Sequence, residues 1–272
     1  MRVPAGTMSE RIGASLVGLM VLVVLIALVW TPYNPLAIDL QNRFAGPTAT
    51  HWLGTDQFGR DVLSRVMTGA KISLPLAFVT VLCATTLGMA IGTLAGFLRG
   101  PVEAVLMTIN DALMAFPGIL LALALIAVLG AGPTSIVIAL TIAYLPSVVR
   151  VVRASVLSIR SRESIEASLV MGNSPLYSMV RHVIPNAMPQ VIVLATSMFG
   201  WVLLSESALS FLGVGIPAPA PTWGNMLSSA KPYLNTAGWL AVVPGLCIVA
   251  TLLGTNLLSD ALRDRLDPKA RR

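Results

Sequence analysis

Six stretches of the chain are long, apolar and nearly free of charge, covering about 12–30, 73–98, 104–129, 134–152, 187–211 and 238–258. Each approaches the roughly 20 residues that a helix needs to cross a hydrocarbon core about 30 Å thick. A lipid-embedded backbone must satisfy its own polar groups, so runs of this length predict α-helices rather than barrel strands. The first run follows Arg2 and Arg11 and leads into Thr31-Pro32-Tyr33. It exceeds the apolar core of a secretory signal and has no small-residue cleavage site behind it, so it is read as a retained first span.

The expected layout is an N-terminal tail at 1–11, a first transmembrane helix at 12–30 and an external segment at 31–72. A five-helix core at 73–258 and a C-terminal tail at 259–272 complete an all-α integral membrane protein with six transmembrane helices. Within the external segment, Val62, Val66 and Ala70 share one helical face while Arg60, Asp61 and Lys71 lie elsewhere. That pattern predicts an interfacial helix resting on the bilayer surface before the second span.

Composition agrees with the pattern. Hydrophobic residues make up 56% of the chain and charged residues only 11%, against roughly a quarter charged in soluble domains. All but five of the 18 Lys and Arg residues fall on the side that holds the termini, the exceptions being Arg43, Arg60, Arg65, Lys71 and Lys231. The positive-inside rule then predicts that both ends are cytoplasmic in a multi-pass protein of the cell (inner or plasma) membrane. The net charge of +6 is explained by that bias, and no basic patch interleaved with stacking aromatics points to nucleic acid. Cys83 and Cys247 lie inside apolar runs and read as small buried hydrophobes.

Between the fourth and fifth runs lies a polar island at about 160–186 on the same side as the termini. Ile165, Leu169 and Gly172 recur at helical spacing, with Arg162, Glu163 and Glu166 on the remaining surface. Gly172 suits a helix end, Ser174 a cap and Pro175 a first helical position. Leu176, Val180 and Val183 then share a side until Pro185 interrupts the ladder. The island therefore predicts a short helix, a sharp turn and a second helix, a knob suited to docking in a cleft.

Glu166-Ala167-Ser168, three residues, Gly172, nine residues and His182-Val183-Ile184-Pro185 resemble the EAA motif of ABC-importer permease subunits. Ser168 replaces the usual second Ala, His182 the usual Ile and Ile184 the usual Leu. The ending Arg181-His182-Val183-Ile184-Pro185-Asn186 looks like the dipeptide, oligopeptide and nickel permease family. His51-Trp52-Leu53-Gly54-Thr55-Asp56, followed by Gly59-Arg60-Asp61 and Ser64-Arg65, is similar to the HWLGTDxxGRDxxSR pattern of that family's C-type subunits. Ala208 to Gly215, Pro221-Thr222-Trp223-Gly224 and Leu262 to Pro268 agree with it too, so the resemblance runs from about residue 30 to 268.

The resemblance implies a type I ABC importer permease fold. It implies a homologous second permease forming the other half of the pathway, two cytoplasmic ABC ATPases and an extracytoplasmic binding protein. Glu166, Ala167, Ser168, Gly172, His182 and Pro185 would carry the coupling to an ATPase. No cofactor is expected on this chain: no Gly-Lys pair of a phosphate-cradling loop occurs, so ATP and Mg would bind the partner ATPases and the chain itself is not an enzyme. Di- or oligopeptides are the expected cargo, with nickel or a nickel chelate as the alternative. A stand-alone secondary transporter is a further class, which predicts coupling carboxylates within the spans. Asp111 in the third run and Glu206 in the fifth are the acids found there. Each is read either as a pathway residue or as a buried carboxylate bonded to neighbouring helices. The external segment and the loop from Pro217 to Trp223 would shape the surface offered to a binding protein.

Overall fold

A computed structural model describes residues 8–98, 100–160 and 170–266. Helices dominate: α1 (Met8–Val29), α2 (Val62–Leu98), α3 (Gly100–Met114), α4 (Gly118–Leu129), α5 (Pro133–Arg160), α6 (Pro175–Ser178), α7 (Ile184–Phe211), α8 (Trp223–Ala230) and α9 (Trp239–Leu266). Extended pairing among the described residues is limited to one bridge, Thr55 with Asp61. The helices α1, α2, α5 and α9, together with the continuous stretch Met179–Phe211, are each long and apolar enough to cross a membrane. The third expected span is different. It breaks into α3 and α4, bent by 91°, because Pro117 cannot donate to the ladder and Gly118 offers little resistance to the turn.

Small residues set the helix contacts, as expected where lipid removes much of the hydrophobic drive for helices to associate. Gly88, Gly92 and Gly96 recur every four residues on α2 and meet Val148, Val152 and Val156 on α5; a Cβ on Gly88 would stand 2.5 Å from Val148 Cγ1. On α1, Gly13 meets Leu257 of α9, and Gly200 of α7 meets Leu252 and Thr255 of α9. Val148, Val152, Val156, Leu203, Leu209 and Trp223 are completely buried in the resulting core. Leu22, Leu25, Val249 and Leu253 are exposed on the outer surface, where a bilayer would cover them.

The start of α1 and the end of α9 lie together at one end of the bundle. Glu10 in the first turn of α1 is ion-paired with Arg265 in the last turn of α9. At that end Ser259 of α9 donates to the Val193 carbonyl of α7 at 3.0 Å, and the 170–183 segment leads into α7. The 31–61 segment occupies the opposite end, where Trp239 Nε1 at the start of α9 donates to the Thr55 carbonyl at 3.4 Å.

The helix expected on the bilayer surface before the second span is the beginning of α2 itself. Val62, Val66 and Ala70 do share a face, but they are buried against protein, with Val62 and Val66 in a cluster that includes Met226, Ala230 and Leu240. The apolar run starts at 73 because Arg65 and Lys71 interrupt it before that point, while the helical ladder begins eleven residues earlier.

Candidate functional site: an exposed knob and three polar sites

The knob is built by local rules. Gly172 holds φ +85° with open space around it, a left-handed conformation that side chains other than glycine adopt at a cost. The Ser174 hydroxyl accepts from the Tyr177 N–H at 3.2 Å, which caps α6 with Pro175 in its first turn. Gly172, Ser174 and Pro175 thus occupy the turn, cap and first-turn positions expected of them. Glu166, Ala167 and Ser168 lie outside the described residues, as do Arg162, Glu163, Ile165 and Leu169.

After α6 the chain does not stop at Pro185. Met179–Val183 widens into a π-helical turn, and the Ile184 N–H reaches back to the Met179 carbonyl. This absorbs the missing donor of Pro185 and lets the helix continue to Phe211. Asn186 Nδ2 donates to the His182 carbonyl at 2.6 Å, and the His182 ring meets Tyr177 edge-on at 6.1 Å. The wide turn also changes the register: Val183 is buried, whereas Val180 is 56% exposed, so the expected shared side of Val180 and Val183 is not formed. Val170, Met171, Tyr177 and Val180 are exposed together with Gly172 and Pro185. An apolar, turn-stiffened protrusion thus stands at the end of the bundle that holds the termini.

At the opposite end, two buried carboxylates organise the 31–61 segment. Asp61 caps α2: its Oδ2 accepts from the Ser64 N–H at 2.8 Å and the Ser64 hydroxyl at 2.7 Å, and its Oδ1 meets His51 Nδ1 at 2.9 Å. Asp56 Oδ1 accepts from the Phe58 and Arg60 N–H groups at 2.8 and 3.0 Å. Its Oδ2 pairs with Arg60 Nε at 2.7 Å and Arg65 Nε at 3.3 Å, and Arg65 Nη1 donates to the Pro35 carbonyl at 3.1 Å. Gly59, at φ +73°, is required where a Cβ would overlap the Asp39 carbonyl. Asp61 and Arg60, expected to lie exposed, are instead drawn inward, Asp61 to 3% exposure. Their partners, His51 and Ser64 for Asp61 and Asp56 for Arg60, are what make burial tolerable.

The two intramembrane acids differ. Glu206 is fully buried in α7, accepting from the Ser210 hydroxyl at 2.9 Å and that of Ser207 at 3.4 Å. Trp223 and Gly224 of α8 close over this region, with Gly224 pressed on the Ser207 carbonyl. Asp111 is open instead, 60% exposed and 3.0 Å from Arg150 Nη2 of α5. Nearby, Glu103 Oε1 accepts from Arg153 Nε at 2.8 Å.

A third polar place joins the break between α3 and α4 to the middle of α5 and to α7. Tyr144 Oη lies 2.8 Å from Ser205 Oγ and 3.1 Å from the Trp201 carbonyl. Tyr144 and Ser205 border a cavity of about 320 Å³. A larger cavity of about 500 Å³, between α1, α2, α7 and α9, is almost wholly apolar.

A bundle of this kind, with a knob at the terminal end and an ordered cap at the other, has relatives. Residues 88–272 match the family described as the binding-protein-dependent transport system inner membrane component. The chain belongs to that family. Within it, the chain is 38% identical over 258 residues to a dipeptide transport system permease protein of Alkalihalophilus pseudofirmus, covering 95% of this chain and 85% of that one. It is 38% identical over 260 residues to a nickel transport system permease protein of Escherichia coli, covering 96% and 94%. A glutathione transport system permease protein of Pectobacterium atrosepticum is 38% identical over 258 residues, with 93% and 85% covered. Among solved structures, an inward-facing methionine ABC transporter chain superposes with a TM-score of 0.61 at 19% identity, over 75% of this chain and 96% of that one. This likeness extends the ABC-importer permease fold to the present bundle, which as a family member is a transport component of the membrane.

The buried Asp56 and Asp61 clusters and the glycine stripe of α2 are absent from the functional residues picked out by sequence reasoning. The period-four glycines were a readable signal for the second. For the first, the match of His51 to Arg65 to the HWLGTDxxGRDxxSR pattern marked the segment as more than a solvated loop, without indicating which residues pair.

Proposed function

We propose that this permease conducts di- or oligopeptides inward as one of two homologous membrane subunits, driven by two cytoplasmic ABC ATPases and fed by an extracytoplasmic binding protein. The segment at about 160–186 is the element on which an ATPase acts, and the end of the bundle that carries it, with both termini, faces the cytoplasm. Glu166, Ala167 and Ser168 form the docked face, with Gly172 fixing the turn behind them and His182 and Pro185 joining the knob to α7. ATP and Mg bind on the ATPases, and this chain contributes mechanical coupling and half of the passage. The observation that carries the reading is the capped turn at Gly172 and Ser174, presenting exposed Val170, Met171 and Tyr177 at the bundle end. Small and apolar residues at a stiff protrusion allow close approach to a cleft, and a motion of the partner reaches α7 through a continuous helix.

Nickel or a nickel chelate is a second reading of the cargo, supported by the Escherichia coli relative. The two are separated by purifying the cognate binding protein and identifying the ligand it carries by mass spectrometry.

The coupling reading is tested in proteoliposomes holding the permease pair and the ATPases, with the binding protein added. Glu166→Arg and Gly172→Trp are expected to abolish binding-protein-stimulated uptake, through lost ATPase association or through hydrolysis no longer linked to transport. Full uptake with unaltered ATPase copurification in both variants sinks the assignment.

A further inference from the structure

Acyl chains offer no hydrogen-bond partner, so non-helical backbone at membrane depth must be buried in protein or face water. Within this chain the break between α3 and α4 is not buried: Ala115, Phe116, Pro117 and Gly118 are all exposed, Phe116 to 61%. Its depth follows from its neighbours. The break borders the same cavity as Tyr144, Pro146 and Ser147, which lie at the middle of the 28-residue α5. The 12 residues of α4 add about 18 Å between the break and the far end of the bundle, more than half of a hydrocarbon core about 30 Å thick.

The side chains around the break point the same way. Tyr144, Ser147 and Arg150 follow each other at helical spacing on one face of α5, with Ser147 and Arg150 exposed, while Val148, Val149 and Val152 are buried on the other. Arg150 carries the exposed pair with Asp111. Ser147 and the Arg150 ion pair, exposed on a spanning helix beside the half-buried Tyr144, belong against water rather than lipid.

We infer that the break at 115–118, with Tyr144, Ser147 and Ser205, is this chain's wall of an aqueous substrate passage, and that the Asp111–Arg150 pair lies on its way out toward the knob. The wall offers neutral hydroxyl donors and acceptors beside Phe116 and Met114. That chemistry suits a short peptide, whose amides exchange hydrogen bonds with it without being trapped by a fixed charge. The inference rests on the permease reading and names the surface that reading leaves open.

The test replaces Cys83 and Cys247 by Ala and introduces Phe116→Cys, Ser147→Cys or Ser205→Cys, with Leu22→Cys and Val249→Cys as lipid-facing controls. The assembled complex in proteoliposomes is treated with a charged, membrane-impermeant methanethiosulfonate reagent. Labelling at 116 and 147 at least 10-fold faster than at the controls, slowed severalfold by dipeptide-loaded binding protein and ATP, is the expected result. Uptake of labelled dipeptide is scored separately in each variant. Uptake intact with labelling at the control rate, whether lipid or the second permease covers the break, overturns the passage wall while leaving the permease reading in place. Fast labelling in a complex that imports nickel and no peptide overturns the peptide as ligand of this wall.

Discussion

Gly92 of α2 and Val152 of α5 face each other so closely that a Cβ added to the glycine would stand 2.8 Å from the valine Cβ and equally close to the Val149 carbonyl oxygen. The backbone carbonyl cannot move aside as a flexible side chain would, so the helices themselves must separate to admit a larger residue. Gly92→Leu is expected to lower the midpoint of thermal unfolding in detergent, at a cost of about 1–3 kcal/mol or more. Gly18→Leu, on α1 where nothing lies within contact distance, is the control expected to leave the midpoint unchanged. Equal midpoints for the two would remove close helix approach from the account of this fold.

Asp61 serves both as the cap of α2 and as the partner of His51. Asp61→Ala leaves the Ser64 N–H and the His51 ring without it, a loss of roughly 1–3 kcal/mol. Because the same carboxylate orders the segment before it, hydrogen exchange in 31–61 should accelerate while exchange in α5 and α7 stays slow. Uniform acceleration throughout the chain would contradict a local role.

Glu206 and Asp111 are expected to respond in opposite degree. Glu206→Ala opens a void and strips the buried Ser207 and Ser210 hydroxyls of their acceptor, so expression and uptake should both fall. Glu206→Gln, which keeps an acceptor and the shape, should recover most of the loss. Asp111→Ala exposes an arginine that water already reaches and should reduce uptake less than Glu206→Ala does. Equal tolerance of all three in the uptake assay would remove Glu206 from the residues that matter.

The pair of Glu103 with Arg153 fastens α3 to α5 with two contacts on one carboxylate oxygen, at 2.8 and 2.5 Å. Glu103→Gln should cost roughly 1.5–3 kcal/mol, the range for hydrogen bonds to charged groups. The exchange Glu103→Arg with Arg153→Glu should regain part of what either reversal loses. Unfolding midpoints of the two single variants and the double variant decide it, and a strictly additive double variant argues against direct coupling.

Much of this architecture could be read from the chain because its signals are local. Runs of apolar residues mark the spans, and Gly172, Ser174 and Pro175 mark the turn of the knob, since capping and left-handed backbone depend on a few adjacent residues. What could not be read depends on distant partners. Asp61 and Arg60 look like surface charges until His51 and Asp56 fold against them, and Val62 looks lipid-facing until Met226 covers it. The third apolar run reads as one span, yet it bends by 91° at Pro117 and Gly118, beside a cavity bordered by α5 and α7. Glu206 offered a pathway role and a structural one on equal terms. Its surroundings in the fold hold it against its own helix's serines.

α2 runs unbroken through Pro75, from the Asp61 cap at one end of the bundle to Phe97, whose carbonyl is held by Arg160 just before the knob. The proline removes one rung of the ladder and divides the helix into a short arm fixed in the cap formed with the 31–61 segment and a long arm of 23 residues, about 35 Å in length. Such a lever has its fulcrum near one face of the membrane and its tip at the other. A rotation of only about 3° at the proline swings Phe97 by roughly 2 Å, so a modest adjustment at the capped face is magnified into a displacement the opposite face can register.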